Sequence, residues 1–392
     1  MKMKTVPELR FPGFEGAWCC NATTGSLCEL IVDCVNKTAP IVEETTPFKM
    51  LRTTNIRNGI IDSFNCRRVT QETYETWTRR AKVERGDVIL TREAPIGEVG
   101  YVDFDDTVFL GQRLMQYRVN PARLDARYLL YSFLSPGLRD QFAAHDGTGS
   151  TVSHIRVGDC SRFTVTHPTL PEQRKIAEFL TAVDGRIGQL SQKKALLEDY
   201  KKGVMQQLFT QALRFKDDHG NDFSEWEEMR LGELCATFKS GKGITSEEIE
   251  EDGEYPVYGG NGRRGYANTF THEGEFLLIG RQGALCGNIN RVSGKSYISE
   301  HAIAVAGNEL ANTEWLAQRL HHLNLNRLSE SSAQPGLAVN KLERLKLLTP
   351  SVPEQTKIAN FLTALDRKIE SVAQQIRHTQ AFKKGLLQQM FV

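Results

Sequence analysis

The chain has 392 residues, of which 40% are hydrophobic and 25% are charged, and its formal net charge is +1. This length and composition predict a globular chain of two or three domains. No apolar run reaches membrane-spanning length, and the first residues lack the apolar stretch of a signal peptide, so we expect a soluble cytoplasmic protein.

The first predicted boundary is a short phrase rich in aromatic residues. LRFPGFEGAW at 9–18 recurs as LRFKDDHGNDFSEW at 213–226, each ahead of a region of mixed strand and helix pattern. Packing of the Phe and Trp side chains against a domain entrance is the expected role. We interpret the two phrases as domain boundaries rather than as sites.

Two regions of different sequence show the same order of predicted elements. In the first, these are GDVILTR (86–92), an apolar strand near 108–119, a helix at 126–134 and a last strand near 162–166. In the second, they are GEFLLIGR (274–281), HAIAV (301–305), a helix at 313–328 and LKLL (345–348). Strands mixed with helices in this order predict an α/β or α+β domain in each half.

Each of these regions ends in a repeated segment. PEQRKIAEFLTAVD at 171–184 recurs as PEQTKIANFLTALD at 353–366, and the match from 171–209 to 353–391 contains 19 identities. Apolar residues recur there at alternating steps of three and four, which predicts two long coiled-coil helices. The predicted seam positions are 180, 183, 187, 190, 194, 197, 201, 204 and 208, with 362, 365, 369, 372, 376, 379, 383, 386 and 390 in the second copy.

Polar residues are also kept in both copies, although packing alone requires only apolar ones. Lys201 and Lys383 even occupy seam positions, where an apolar residue would stabilise a coiled coil more. The alternative is that each helix simply buries an apolar stripe on its own domain. We hypothesise instead that the helices pair antiparallel and present two equivalent surfaces to two copies of one partner. The predicted subunit-binding residues are Glu172, Gln173, Lys201, Lys202, Gln206, Gln207, Glu354, Gln355, Lys383, Lys384, Gln388 and Gln389.

The predicted fold class is α+β with a pseudo-twofold internal repeat. Two globular α/β domains, at 1–168 and 213–350, are separated by helical spacers at 169–212 and 351–392 that form an antiparallel coiled coil.

With these features, the chain resembles the specificity subunits of type I restriction-modification systems. PEQRKIAEFL with KKGVMQQLF, and their second copies, resemble the conserved helical regions of that family. The segments at 51–62 and 86–100, and at 255–266 and 277–289, resemble its target recognition domains. The resemblance implies that each domain reads one half of a bipartite double-stranded DNA target and that the helices act as a ruler. It also implies two methyltransferase subunits as partners, with restriction or translocase subunits in complete systems.

Local charge is compatible with DNA binding, although the net charge is close to zero. Residues 49–92 contain ten Lys or Arg and five Asp or Glu, interleaved with Thr, Asn and Tyr. Arginine and Asn or Gln read base edges, whereas Thr and Ser position phosphates. The predicted DNA-binding residues are Arg52, Thr53, Thr54, Asn55, Arg57, Arg67, Arg68, Arg92, Gln112, Arg113, Ser150, Thr151, Tyr258, Asn261, Arg263, Arg264, Arg281 and Gln282.

We find no methyltransferase tetrapeptide, no Walker A motif and no nuclease carboxylate cluster, so we predict that the chain is not catalytic and holds no cofactor. The resemblance implies that partner subunits use S-adenosylmethionine, ATP and magnesium. Eight cysteines include no Cys-x-x-Cys pair, which predicts reduced thiols and no metal.

Two other functions remain open from the sequence. The chain could be a coiled-coil adaptor whose modules bind proteins or glycans, in which case binding would lack a steep salt dependence. It could also be an enzyme with an unrecognised site, for which His145, His154 and His301 are the nearest candidates.

Overall fold

The computed structural model describes residues 6–144, 154–283, 285–329 and 336–392. The chain forms two compact units: unit 1 is Met1–Ser191 with Gln374–Val392, and unit 2 is Gln192–Ala373. Ser191 and Ala373 are equivalent positions of the repeat. Each unit therefore contains the start of one long helix and the end of the other, whereas the predicted boundaries keep the helices apart from the globular domains.

Unit 1 is built from short strands, four short helices and parts of two long ones. Its helices are α1 (Thr24–Leu27), α2 (Gln71–Trp77), α3 (Ala126–Leu134), α4 (Pro136–Ala144) and the first part of α5 (Leu170–Phe209). Its strands are β1 (Cys28–Asp33), β2 (Lys49–Leu51), β3 (Ile56–Arg57), β4 (Ile60–Ile61), β5 (Arg67–Arg68), β6 (Val88–Arg92), β7 (Ile96–Tyr101), β8 (Val108–Leu110) and β9 (Leu114–Val119). Single 3₁₀ turns lie at Thr53–Asn55 and Val157–Asp159.

The main sheet of unit 1 has the strand order β1-β9-β6-β7, and smaller sheets are formed by β5-β2-β8 and β3-β4. Strand β6 is buried on both faces except at Arg92, as its continuous apolar sequence predicts. Helix α3 is capped by Asp125, whose carboxylate accepts the first free backbone N–H groups. Its buried Tyr128 and Phe133 join Leu180 of α5 and Met390 in one core, which fixes the helix ends to the sheet.

Unit 2 has one large sheet and three further helices. Its helices are α6 (Thr313–Leu323), α7 (Val339–Glu343), the first part of α8 (Val352–Gln389) and the second part of α5. Its strands are β10 (Glu227–Arg230), β11 (Cys235–Ser240), β12 (Tyr255–Gly259), β13 (Gly262–Ala267), β14 (His272–Gly280), β15 (Ile289–Ile298), β16 (Ala302–Gly307) and β17 (Lys346–Thr349). 3₁₀ turns lie at Leu231–Leu234, Ser246–Glu248 and Leu325–Leu328.

The large sheet of unit 2 has the order β11-β16-β14-β15-β12-β13, and β10 pairs with β17. Helix α6 is capped by Asn312, whose side chain accepts the backbone N–H of Trp315, as Asp125 caps α3. Trp315 is fully buried and lies in one core with Leu208 of α5 and Leu362 of α8.

The two long helices confirm the prediction from the repeat, and the predicted α+β class is confirmed with them. Helix α5 has 40 residues and α8 has 38. All nine predicted seam positions in each helix are buried or half-buried. In unit 1, Asp184 of α5 contacts Lys383 of α8, while the helix start at Glu172 and the helix end at Gln389 are joined by the segment Leu9–Arg10. The helix segments in this unit therefore run antiparallel.

Three element predictions are corrected. The predicted strand near 162–166 forms only an isolated bridge, between Thr164 and Thr23. The helix predicted across 313–328 ends at Leu323, because Asn324 adopts a left-handed conformation with φ of 49° and a 3₁₀ turn follows. Strand β15, the longest in the described chain, was not predicted.

Candidate functional site

The start of α5 is fixed by a buried ion pair in unit 1. The Arg10 guanidinium donates from Nε and an Nη to the two carboxylate oxygens of Glu172, at 2.7 and 2.8 Å. Only 2% of the Glu172 side chain is exposed, and Arg10 also donates to the carbonyls of Glu15 and Gly16. The hydrogen bond that Arg10 donates to Glu172 raises the pKa of Arg10, so the guanidinium remains charged. The phrase LRF at 9–11 thus anchors the helix as well as marking a boundary.

The start of α8 repeats this arrangement in unit 2. Arg214 donates to both carboxylate oxygens of Glu354, at 3.2 and 3.0 Å, and the Trp226 indole N–H donates to the same carboxylate at 3.0 Å. Glu354 is fully buried. The LRF phrase and the PEQ phrase are both repeated in the sequence, and the arginine of one binds the glutamate of the other. This ion pair, which we call the joint, occurs once in each unit.

The glutamines of the PEQ phrase also bond within the chain. The Gln173 side chain accepts the backbone N–H of Asp125 at 2.8 Å and donates to the Pro168 carbonyl at 2.9 Å. The Gln355 side chain accepts the N–H of Asn312 at 2.8 Å and donates to the Pro350 carbonyl at 2.8 Å. Each glutamine thereby ties the start of a long helix to the cap of a neighbouring helix.

The buried positions correct part of the predicted subunit surface. Both glutamines are fully buried, as are the glutamates beside them, so these side chains are not available to a second protein. Their recurrence is explained by internal hydrogen bonds, because a buried polar group left without a partner costs about 1–3 kcal/mol. The residues removed from the surface are Glu172, Gln173, Glu354 and Gln355.

The two seam lysines are neutralised by aspartates of the opposite helix. Lys383 Nζ lies 2.7 Å from an Asp184 oxygen, and Lys201 Nζ lies 2.6 Å from an Asp366 oxygen. Only 13% of each lysine side chain is exposed. The lysines at the seam therefore form ion pairs between the helices. Their prediction as subunit-binding surface residues is corrected, because both are mostly buried.

An exposed, repeated strip remains on the two helices. Gly203 and Gly385 leave open space beside them, because a Cβ atom added to either residue would meet no neighbouring group within 4 Å. One turn before them lie Tyr200, 53% exposed, and Phe382, 55% exposed, which are equivalent positions of the repeat. The sequence reasoning missed these two aromatic residues. Exposed polar residues complete the strip: Lys202, Gln206, Gln207, Lys384, Gln388 and Gln389.

The first set of predicted DNA-binding residues lies in one segment of unit 1, residues 52–68, which we call the knob. Arg57 and Arg67 are exposed, and no ion pair or hydrogen bond of their side chains occurs within the described residues. Arg68 donates to the Thr46 carbonyl. Asn55 is buried and corrected to a structural residue, since its side chain accepts the Arg52 N–H at 3.0 Å and donates to the backbone.

Arg52 is half-buried and, like the 3₁₀ turn formed by Thr53 and Thr54 with Asn55, belongs to the knob. Further predicted residues lie where β6 ends and β9 begins. Arg92 donates to the Ile155 carbonyl at 2.9 Å, and its backbone N–H donates to the Arg113 carbonyl at 2.8 Å.

The residues before β9 are Gln112 and Arg113. The Arg113 backbone has a φ of 74°, and its Nε lies 3.3 Å from a Glu93 carboxylate oxygen. The Gln112 amide oxygen accepts a hydrogen bond from the Thr38 hydroxyl at 3.4 Å. Ser150 and Thr151, together with His145, lie outside the described residues.

In unit 2 the predicted residues surround the β12–β13 hairpin. Gly260 is required there, because a Cβ would lie 2.8 Å from the His301 carbonyl oxygen. Gln282 and the His301 ring are joined by a 3.1 Å hydrogen bond, so the hairpin tip and the turn after β14 lie together.

Some polar side chains around this hairpin already have partners within the chain, and others are exposed. Arg263 lies over the Tyr266 ring at 5.1 Å and donates to its hydroxyl at 2.8 Å, while Arg281 donates to Ser240 at 3.0 Å. Asn261 and Arg264 are exposed, and Tyr258 is half-buried.

The described part of the chain contains neither a cluster of metal ligands nor a helix of membrane-spanning character. No group of three or more His, Cys, Asp or Glu in these residues is arranged to hold a metal ion. No helix within the same ranges is long and apolar enough to cross a membrane.

Comparison with known proteins gives matches along both halves. The family described as "Type I restriction modification DNA specificity domain" matches residues 37–199 and 223–378. The specificity subunit of the type I restriction enzyme EcoprrI from Escherichia coli is 33% identical over 261 residues, which cover 64% of this chain and 63% of that protein. A putative type I specificity subunit, MjaX, from Methanocaldococcus jannaschii is 24% identical over 326 residues, covering 77% of this chain and 76% of that protein. The crystal structure of a type I restriction-modification S subunit from M. genitalium shares the fold, with a TM-score of 0.67, 20% identity and 99% coverage of both chains.

Proposed function

This chain belongs to the type I restriction-modification DNA specificity family, and from that premise we propose that it reads a split DNA sequence and recruits methyltransferase subunits to it. The observation that carries the proposal is that the family matches twice, once in each half of the chain. Each match includes most of a long helix together with the sheet domain ahead of it. One half-site is therefore assigned to each half of the chain.

In unit 1, the DNA-reading surface centres on the knob and on the loop ends near Arg92 and Arg113. Arg57 and Arg67 are exposed, which suits contacts to phosphates or guanine. Arg113 with Gln112 lies at the adjoining strand end. Base readout is assigned to the exposed residues among those predicted, and Asn55 is left out because its amide is already bonded within the chain.

In unit 2, the proposed surface is the β12–β13 hairpin and the turn after β14. Asn261 and Arg264 are exposed near the hairpin tip, and Gln282 is exposed on the adjacent turn. A side chain that reads a base must have a free donor or acceptor. Asn261 and Arg264 meet this condition with their whole polar groups, and Gln282 meets it with its amide nitrogen, since its oxygen bonds the His301 ring. Arg263 and Arg281, which already contact Tyr266 and Ser240, are assigned to supporting or phosphate contacts.

Methyltransferase subunits are assigned to the exposed strip of the helices. The strip occurs twice with nearly the same residues, and a duplicated surface suits two copies of one partner. Each copy offers an exposed aromatic side chain beside a glycine gap that admits a partner's side chain or backbone. Such an aromatic anchor next to a gap is typical of an interface centre.

Chemistry is assigned to the partner subunits. Methyl transfer would use S-adenosylmethionine there, and restriction would use ATP and magnesium. No cofactor is assigned to this chain, whose family comprises specificity subunits.

The experiment is to co-express this chain with the methyltransferase subunit encoded beside it, in a host without adenine methylation, and to sequence the genome for modified bases. A split motif with methylated adenines in both halves, present only with this chain, is the expected result. A stable purified complex that modifies no base would contradict the proposal and favour an adaptor function.

A second experiment tests the two half-sites separately. It replaces the unit 2 hairpin and turn residues together, as Asn261→Ala, Arg264→Ala and Gln282→Ala. The modified motif is expected to lose selectivity in one half and to keep the other half unchanged. Equal loss in both halves would contradict the assignment of one half-site to each half of the chain.

A further inference from the structure

The knob carries the two most exposed large hydrophobic side chains of the described chain. Phe64 is 85% exposed and Ile60 is 70% exposed. A single exposed apolar residue is ordinary on a protein surface, but two this exposed within one short segment, one of them aromatic, are uncommon. Neither belongs to the hydrophobic clusters of unit 1. Exposed as they are, Phe64 and Ile60 add little to the stability of the fold, which is typical of residues that bind a ligand.

Phe64 is held in place by its neighbours rather than carried on a loose loop. The Asp62 carboxylate accepts the backbone N–H groups of Phe64 and Asn65 at 3.0 Å, and it accepts the Asn65 amide at 2.7 Å. These bonds, led by that of the Asn65 amide, lower the pKa of Asp62 and keep it charged. The buried Asn55 amide binds the Asn65 carbonyl at 3.2 Å. The backbone that presents Phe64 is therefore ordered before any ligand binds.

Ile60 follows a tight turn in the same segment. Asn58 and Gly59 have φ values of 52° and 92°, which fits the type of two-residue turn that joins antiparallel strands such as β3 and β4. The Gly59 N–H donates to the Val99 carbonyl at 2.9 Å, and the Asn58 N–H donates to Glu98 at 2.8 Å. This end of the knob is thus tied to strand β7.

The charge around the two apolar residues identifies the class of ligand. Residues 52–68 contain four arginines (52, 57, 67 and 68) and one acid, Asp62. The neighbouring acid Asp106 is paired with Lys49 at 2.7 Å, and Glu98 accepts from the backbone. Exposed apolar side chains within a segment rich in arginine are complementary to a ligand with an anionic exterior and an apolar interior. Duplex DNA, with its phosphates outside and its stacked bases inside, is such a ligand.

We propose that Phe64 enters the base stack of the DNA as a wedge at one base-pair step of the half-site that unit 1 reads. This inference rests on the proposed function, because it requires that unit 1 bind duplex DNA. Inserted apolar side chains partly unstack a step, and the cost depends on which bases form it. Flexible pyrimidine–purine steps open most easily. The wedge therefore selects sequence through the deformability of the step, without a hydrogen bond to any base.

The test uses the complex of the full chain with its methyltransferase subunits, and duplexes that carry the motif found by sequencing modified bases. Fluorescent analogues, 2-aminopurine for adenine and pyrrolocytosine for cytosine, replace each such base of both half-sites in turn. The methylated adenine is left out, because methyltransferases extrude their target base and would raise the signal there. Fluorescence anisotropy measures binding in parallel.

Three variants are compared with the wild-type chain. Phe64→Ala removes the wedge, Phe64→Leu keeps an apolar tip, and Val157→Ala truncates another exposed apolar residue of unit 1, which is 44% exposed. Because Phe64 is so exposed, neither of its substitutions is expected to prevent folding, and urea unfolding checks this.

The expected result is a rise in fluorescence on binding at adjacent positions of one half-site. Phe64→Ala abolishes the rise and weakens binding about 5- to 150-fold, as for loss of one stacked aromatic. Phe64→Leu retains part of both effects, and Val157→Ala changes neither.

Two results would overturn the wedge while leaving the proposed function intact. One is binding without a rise at any position, or with the same rise in Phe64→Ala. The other is a loss of affinity when thymine is replaced by uracil that disappears in Phe64→Ala, which would show contact with a thymine methyl in the groove. A complex that neither binds DNA nor modifies any base would overturn the wedge and the proposed function together.

Discussion

Asp184 of α5 holds the ammonium group of Lys383 of α8 at 2.7 Å, and the same aspartate accepts the Tyr131 hydroxyl at 2.9 Å. The equivalent pair in unit 2, Lys201 with Asp366, is completed by the Gln318 amide at 2.9 Å instead of a tyrosine. The ion pair between helices is thus common to both units, whereas the third member differs. The repeat preserves this ion pair and allows its surroundings to vary.

Replacing this lysine tests how much the ion pair between the helices stabilises unit 1. Lys383→Met is expected to lower the free energy of unfolding by about 1 to 2 kcal/mol, because Asp184 loses its partner at the helix interface. The loss stays below that of a fully buried pair, since 35% of the Asp184 side chain is exposed. Urea unfolding measures the change, and Lys384→Met, at an exposed position, is the control. If the double variant Asp184→Asn with Lys383→Met is no more stable than Lys383→Met alone, the unpaired carboxylate is not the cause.

The exposed strip should set how many methyltransferase subunits the chain binds. Tyr200→Ala is expected to remove one of two bound subunits, Phe382→Ala the other, and the double variant both, because truncating an anchor residue at an interface costs about 2 kcal/mol or more. Native mass spectrometry counts the subunits. Glu178→Ala, at an exposed position of α5 whose equivalent is Asn360, serves as the control. Retention of both subunits in the double variant would place the interface elsewhere.

Free arginines of the knob should contribute to the salt dependence of DNA binding. Arg57→Ala and Arg67→Ala are each expected to reduce the slope of log affinity against log salt by about 0.9, since each contact with a phosphate releases counterions. Titrations by anisotropy at several salt concentrations provide the slope. Arg85→Ala, whose guanidinium is already paired with Asp105 at 2.8 Å, should leave it unchanged. If the slopes of all three variants are identical, the knob is not part of the DNA interface.

Helix length should determine the gap between the half-sites. Inserting one heptad after Ser191 and one after Ala373, the equivalent points where the two units divide the helices, adds about 10.5 Å to each helix. This is about three base pairs of duplex, at about 3.4 Å for each. Sequencing of modified bases should show a longer unspecified gap between unchanged half-sites. An unchanged gap would contradict the role of the helices as a ruler.

Acid should destabilise unit 2 through two histidines on α6. Burial, together with the nearby Lys201 and Arg291, lowers the pKa of His321, and burial beside Arg319 lowers the pKa of His322. Their pKa values are thus lower in the folded than in the unfolded state, so the unfolded state binds more protons just below pH 6.5. Stability is complete above that pH and falls as the pH decreases through the folded pKa values.

Urea unfolding at about pH 7.5 and about pH 5.5, on either side of the ordinary histidine pKa, measures this loss. The double variant His321→Gln with His322→Gln should show a smaller difference in midpoint between the two pH values than the wild type. His378→Gln, an exposed histidine on α8 in unit 1, is the control. An undiminished pH dependence in the double variant would assign it to other groups.

Features with a local signal were predictable from the sequence. The long helices follow from a three-and-four spacing that needs no tertiary information, and strand β6 follows from a short apolar run after Gly86. Strand β15 was missed because Gly294 and the polar residues around it interrupt any alternation.

Features that depend on distant partners were not predictable. The repeated Glu172 suggested a surface for a second protein, yet its partner is Arg10, which is 162 positions away in the chain. Tyr200 and Phe382 lie in an ordinary helix pattern, and only the exposed fraction of each side chain in the structure shows that both face outward. The same holds for Phe64, since an aromatic residue between polar neighbours is as compatible with a small core as with an exposed tip.

Backbone contacts at the helix ends have a consequence for the order of the two halves. The Leu9 N–H donates to the Gln389 carbonyl at 2.9 Å, and the Leu213 N–H donates to the Gln207 carbonyl at 3.1 Å. In the second case the helix end and the following phrase are covalently continuous, whereas in the first they belong to opposite ends of the polypeptide. Since the same contact forms with and without a peptide connection, the connection is dispensable to it. A circularly permuted polypeptide, opened near Gln211 and closed between the present termini, would keep both contacts and exchange which half is synthesised first.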